Sequence, residues 1–272
     1  MNHGPLHHCK DILDGATWGR VLYTHISPVR FDGRTRGRLF GVCPCIFSRV
    51  CVERAGRRVK TFLYIDGFNL YYSAVKDTPL RWLNPVALAT RAFPRNQIVA
   101  TKYFTAKVSA LPRDPDQPTR QMIFWRALRT LPQFEIILGD FRTRKVRAAV
   151  VSPPPNFIEV FKTEEKGSDV NLASHLLMDG FHGRYECTIV ISGDSDLVTP
   201  IRMVRDELKK PVGVLNPQRL SGPNRRPERK SAGLQHAASF YQKGVTWAQL
   251  QAAQFPPTMN DTHGAFTKPS TW

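Results

Sequence analysis

Long apolar runs are missing from this 272-residue sequence. The longest, Phe134–Leu138 and Thr188–Ile191, are strand-sized. A membrane helix needs roughly 18 apolar residues. The opening MNHGPLHHCK has no signal-peptide apolar region, so a soluble, cytoplasmic protein with no membrane partner is expected. Cysteine is scarce. Of five, four lie early (Cys9, Cys43, Cys45, Cys51) and only Cys187 follows. An odd count placed this way excludes a secreted disulfide framework. The Cys-Pro-Cys at 43–45 and the gap to Cys51, even with His7 and His8 nearby, match no ordinary zinc-finger spacing. No G-x-G-x-x-G follows the first apolar strand and no G-x-x-x-x-G-K-S/T occurs, so dinucleotide and P-loop nucleotide binding lose their usual support. Acids are few beside bases: 22 Asp and Glu against 39 Lys and Arg, a formal charge of +17. That balance points to an anionic partner, nucleic acid first and an acidic membrane face second.

What is present is ordinary for a protein with a buried core: 42% hydrophobic and 22% charged residues, enough for one large domain or two small ones. The basic excess is spread out, net +7 over residues 1–60 and net +10 over the rest. Residues 1–58 lack sustained periodicity and read as a basic disordered arm or as a gene-model extension. The body divides into an α/β domain over 59–216 and a basic loop with a C-terminal tail over 217–272.

Short β-rich runs alternate with amphipathic stretches. Strands are predicted at Thr61–Ile65, Ile98–Val108, Phe134–Leu138, Cys187–Ile191 and Val212–Leu215. Helices are predicted at Phe68–Val75, Leu83–Ala92 with Asn84 as cap and Pro85 at its first position, Thr119–Leu131, Ser168–Gly180 with Ser168 as cap, and Asp196–Leu208. Phe141–Val151 reads as a basic hairpin arm, with Phe157–Phe161 pairing back. The alternation predicts an α/β, mostly parallel sheet of about five strands with helices on both faces.

Three acidic sites fall at equivalent places in that layout. Asp66 closes the first strand, Asp169 starts the Ser168 helix, and Asp194 and Asp196 close the fourth strand. Strand ends and helix starts share the edge where open α/β sheets form their crevice. Taken singly, Asp66-Gly67 is a turn and Ser168-Asp169 a helix cap. Together, converging carboxylates repel one another until a hard divalent cation neutralises them. Mg²⁺ or Mn²⁺ suits oxygen ligands and phosphate, activates water and stabilises phosphoryl charge. An acidic pocket in a basic protein therefore suits a phosphodiester backbone.

Three segments, Tyr64-Ile65-Asp66-Gly67-Phe68-Asn69-Leu70, Lys166-Gly167-Ser168-Asp169-Val170 and Ser192-Gly193-Asp194-Ser195-Asp196-Leu197, resemble in order the signatures of the NYN domain family, within the PIN-like nucleases. The resemblance covers about residues 60–215. It implies a Rossmann-like (PIN-like) sheet and metal-dependent ribonuclease chemistry on RNA. Asp66, Asp169, Asp194 and Asp196 would then be catalytic metal-binding acids, Asn69 an assisting residue, and Ser192 the support of the last acidic loop. Some proteins similar to this branch carry an NADH-linked hydroxypyridine monooxygenase assignment, which is one alternative. A non-catalytic RNA-binding regulatory module is the other.

Lys166, beside the acids, is either a contact to the scissile phosphate or a solvated loop lysine. Arg142, Arg144 and Lys145 in one basic run, and Arg225 and Arg226 in another, either track an RNA backbone or form solvated faces. Tyr71, Tyr72 and Trp82 are base-stacking or core residues. His175 is read as a core or surface histidine.

Overall fold

The computed structural model describes residues 58–272 except 111, 113, 153 and 224–230. The expectations for residues 1–57, and those for Arg225 and Arg226, lie outside the described residues.

Strand β1 (Val59–Asp66) leads into α1 (Gly67–Leu70), which continues as a π-helical turn over Tyr71–Val75. The predicted first helix is thus α-helical only in its opening turn. Next come α2 (Pro85–Ala92), β2 (Asn96–Ala106), α3 (Gln117–Arg129), β3 (Phe134–Ala149) and β4 (Phe157–Lys166). They are followed by α4 (Ser168–Phe181), β5 (Cys187–Ile191), a 3₁₀ turn (Ser195–Leu197), α5 (Val198–Asp206) and β6 (Val212–Leu215). The remainder holds α6 (Ala232–Ala237), β7 (Phe240–Gln242), α7 (Trp247–Ala252) and a small hairpin, β8 (Thr258–Asp261) with β9 (Gly264–Thr267). Helix α2 starts as its sequence dictates: Asn84 Oδ1 accepts from the Val86 and Ala87 N–H groups, and Pro85 has no N–H to leave unpaired.

The main sheet has seven strands in the order β4-β3-β2-β1-β5-β6-β7. All neighbours are parallel except β3 and β4. Two strands exceed the expected five. One is β4, which lengthens the predicted hairpin arm. The other is β7, whose three residues are too short to show a period of two. Alternation along the central strands feeds two cores. Leu63, Ile65, Tyr103, Ile189 and Ile191 pack with Leu88, Trp125, Leu128 and Leu250 on one face. Tyr64, Phe104, Val190, Val212 and Val214 pack with Leu172, Leu176, Ile201 and Val204 on the other. Leu176 is fully buried, so Leu176→Ala removes about 2–5 kcal/mol.

The chain runs β1→β2→β3 outward on one side, then returns through α4 to build β5→β6→β7 on the other. The direction in which strands are added reverses between the parallel neighbours β1 and β5, the point where α/β sheets of this kind carry a crevice off their carboxyl ends. Beyond Gly139, β3 leaves β2 and pairs only with β4, from Asp140↔Lys166 to Ala149↔Phe157. This two-stranded arm therefore projects past the same carboxyl edge. No helix among the described residues is long and apolar enough to cross a membrane.

Candidate active site

Asp66 ends β1 and Ser192 follows β5. The two strands are paired through Ile65↔Ile191, so residues 126 positions apart meet directly. Ser192 Oγ donates to Asp66 Oδ2 at 3.0 Å and accepts from the Asp194 backbone N–H at 3.0 Å. Asp66 Oδ1 accepts from the Asn69 N–H at 2.9 Å and so caps α1. Asn69 Oδ1 in turn accepts from the Gly193 N–H at 3.0 Å, tying the loop after β1 to the loop after β5. Asp194 Oδ1 accepts from the Asp196 N–H at 3.0 Å, which caps the 3₁₀ turn. Asp66 and Asp194 thus serve as caps, and the same bonds fix where their carboxylates stand.

Asp66 is only 6% exposed. Burial pushes its carboxyl up to about 7, against the pull of the Asn69 N–H. The charges of Asp169 and Asp194 contribute to that rise, and the Ser192 hydroxyl opposes it. Two acids from distant segments are therefore electrostatic neighbours of Asp66. Asp169 and Asp194 are half-buried, and Asp196 is exposed. Asp169 sits in the first turn of α4. That helix is capped by Gly167 at φ 96, not by Ser168, which is buried as its first residue. The left-handed turn favours glycine and explains why the cap shifts back by one position.

Gly67 allows a second close approach. A Cβ there would lie 2.6 Å from the Tyr103 ring, which closes over the base of the loop. Burial and the Asp66 charge both push the Tyr103 phenol upward.

The oxygen donors of Asp66, Asp169 and Asp194 suit a hard divalent cation. Among the described residues, no three His, Cys, Asp or Glu side chains are arranged as they stand to hold a metal ion. Lys166 is exposed at the end of β4, two residues before α4. Arg144 and Lys145 are exposed on the β3–β4 arm, and the Arg142 backbone pairs there with Glu164. Trp82 is core, 1% exposed, whereas Tyr72 is 47% exposed.

Two features escaped the sequence reading. Asn216, 5% exposed at the end of β6, lies so close to Gly193 that a Cβ there would be 3.0 Å from its Oδ1. It accepts from the Gln218 N–H at 3.2 Å and donates to the Tyr241 hydroxyl at 3.3 Å, propping the Asp194 loop. The signal was its place just after a strand. The second is a buried charge cluster away from the crevice. Asp179, 1% exposed, accepts from Lys102 at 2.5 Å, Tyr64 at 2.6 Å and Arg184 at 2.7 Å, and Lys102 Nζ lies 3.1 Å from His175 Nδ1.

The chain is similar to known proteins. Over 241 residues the chain is 29% identical to 6-hydroxy-3-succinoylpyridine 3-monooxygenase HspA of Pseudomonas putida, covering 79% of this chain and 75% of that protein. A crystal structure of a protein of unknown function from Vibrio parahaemolyticus aligns over 71% of this chain and 96% of its own, with 18% identity and a TM-score of 0.45. The NYN domain model matches residues 60–240, from β1 into β7, and so takes in all three acidic segments and the switch in strand order between β1 and β5. The chain belongs to the NYN domain family, a PIN-like nuclease family.

Proposed function

We propose that the protein is a divalent-metal-dependent endoribonuclease that hydrolyses RNA phosphodiester bonds. One observation carries the reading: a buried Asp66 carboxylate stands against the charges of Asp169 and Asp194. Such a set is costly when all members are ionised, and Mg²⁺ or Mn²⁺ relieves that cost. Nucleases of this type generally use divalent metals, and a bound ion would supply an activated water and neutralise phosphoryl charge. Asp66, Asp169 and Asp194 would hold it, with Asp196 at the exposed rim.

The other residues set the geometry. Ser192 donates to Asp66 Oδ2 and so fixes the carboxylate plane. Asn69 holds the Gly193 backbone, which ties the loop that carries Asp194 to α1. Lys166, Arg144 and Lys145, all on the β3–β4 arm, would hold the RNA backbone, and the basic sequence runs give Arg142, Arg225 and Arg226 the same proposed role. Water would attack the phosphorus in line, one P–O bond would form as the bond to the departing oxygen breaks, and no covalent intermediate would form on the chain.

Incubating the protein with a pool of labelled RNAs tests this reading. Fragments are expected with Mn²⁺ or Mg²⁺ and none with EDTA. Intact RNA under every metal condition would contradict it, and RNA retained uncut in Mn²⁺ would favour a binding module.

A second reading is favoured by the 29% identity to the Pseudomonas monooxygenase. It predicts NADH oxidation when 6-hydroxy-3-succinoylpyridine is added to the pure protein. The sequence supplies no Gly-rich phosphate turn for a nicotinamide.

A further inference from the structure

A cavity of about 410 Å³ adjoins the acidic crevice and is used by nothing described above. That volume is ordinary for a small-molecule site. Seven of the twenty residues that line it are aromatic, among them Phe68, Tyr71, Tyr72, Tyr103, Phe124 and Trp272. It shares a partition with the acids. Gly67, the residue after Asp66, lines it, and Tyr103 covers Gly67 while sensing the Asp66 charge.

The rings are already ordered by one another. Phe68 stacks on Tyr72 with centroids 6.5 Å apart, and Phe124 meets Trp272 edge-on at 5.6 Å. Polar groups at the wall are mostly engaged. Gln121 accepts from the Val108 N–H and donates to the Ala106 carbonyl, Arg81 donates to the Thr78 carbonyl, and Arg120 pairs with Asp114. Lys76 lies 4.7 Å above the Tyr72 ring. Cations on the wall (Lys76, Arg81, Arg120) outnumber acids (Asp77, Asp114) by one. Rigid aromatic walls suit a flat ring better than an aliphatic chain, and a cationic margin suits a ring that carries an anion.

We infer that this cavity is a nucleobase subsite: it takes the unstacked base of the nucleotide whose phosphate lies at Asp66. The inference rests on the nuclease reading for its substrate, and it specifies single-stranded RNA. A paired base cannot enter, because its edge and both faces are already occupied.

Equilibrium dialysis of 5′-UMP and 5′-AMP against the full chain in Mg²⁺ tests it without cleavage, because neither nucleotide has a phosphodiester bond to cut. The nucleotides are expected to be retained. Val108→Trp, which fills the cavity from its wall, should weaken retention roughly tenfold. Tyr72→Ala, a change at an exposed position that the fold tolerates, should weaken it roughly threefold. In the metal-dependent assay, single-stranded RNA should be cut and a fully paired duplex spared. Equal retention by the parent and both variants overturns the inference, as does no retention, or retention of a free hydroxypyridine alone. RNA cut equally by the parent and Val108→Trp overturns it while leaving the nuclease reading intact. Retention lost in Val108→Trp with no RNA cleavage by the parent supports the subsite and overturns the nuclease reading.

Discussion

Asp66 is placed where its charge is least comfortable, buried at a strand end and facing two other acids. Replacing it with Asn removes the repulsion and keeps one oxygen for the Asn69 N–H, while the new amide NH₂ takes the other position and donates to Ser192 Oγ. In EDTA, Asp66→Asn is therefore expected to unfold at the same or a higher temperature than the parent while losing RNA cleavage. A large drop in thermal midpoint would show that Asp66 is a structural cap first. Asn69 is the opposite case, because its amide satisfies a backbone N–H from another segment. Asn69→Ala should lower stability by about 1–2 kcal/mol in chemical denaturation and reduce cleavage with little change in RNA affinity. The acids were legible because each stands beside a turn or cap residue at a strand or helix boundary. Asn216 was not, because the run after Leu215 carries Pro, Gly and Arg and reads as loop.

At the level of elements, the β1–α1 junction and the Asp179 cluster make separate demands. A Cβ on Gly67 would meet the Tyr103 ring, so Gly67→Ala should cost about 1–3 kcal/mol, measurable by urea denaturation. Tyr103→Leu in the same chain should restore part of that loss. Asp179 joins α4 to β1 and β2. Burial alone would raise its carboxyl, but hydrogen bonds from Lys102, Tyr64 and Arg184 outweigh this and hold it below the ordinary range. Its contribution is thus fully present above the usual aspartate value and is lost as pH falls through the lowered folded value. Asp179→Asn should cost about 3 kcal/mol at neutral pH and flatten the acid limb of the stability curve. Parallel acid limbs in parent and variant would refute the assignment. This cluster was invisible in sequence, because Lys102 and Tyr64 sit in strands that read as apolar runs and nothing local joins them to Asp179. Strand identity was readable from short β-rich apolar runs, which are buried almost throughout in β5 and β6, whereas β7 and the extent of β4 depend on neighbours that pattern alone does not reveal.

Over the whole molecule, a formal charge of +17 surrounds an acidic crevice. RNA affinity should fall steeply and linearly with salt on logarithmic axes, and Arg144→Glu with Lys145→Glu should reduce the slope by about 2. An unchanged slope would place the arm away from the strand path. The account as a whole depends on Asp66, Asp169 and Asp194 sharing one divalent ion. Calorimetric titration of Mn²⁺ into the parent and into Asp66→Asn, Asp169→Asn and Asp194→Asn tests this most directly. One site is predicted in the parent, lost or strongly weakened in each variant; Mn²⁺ uptake that is absent from the parent, or unchanged in all three variants, would contradict it.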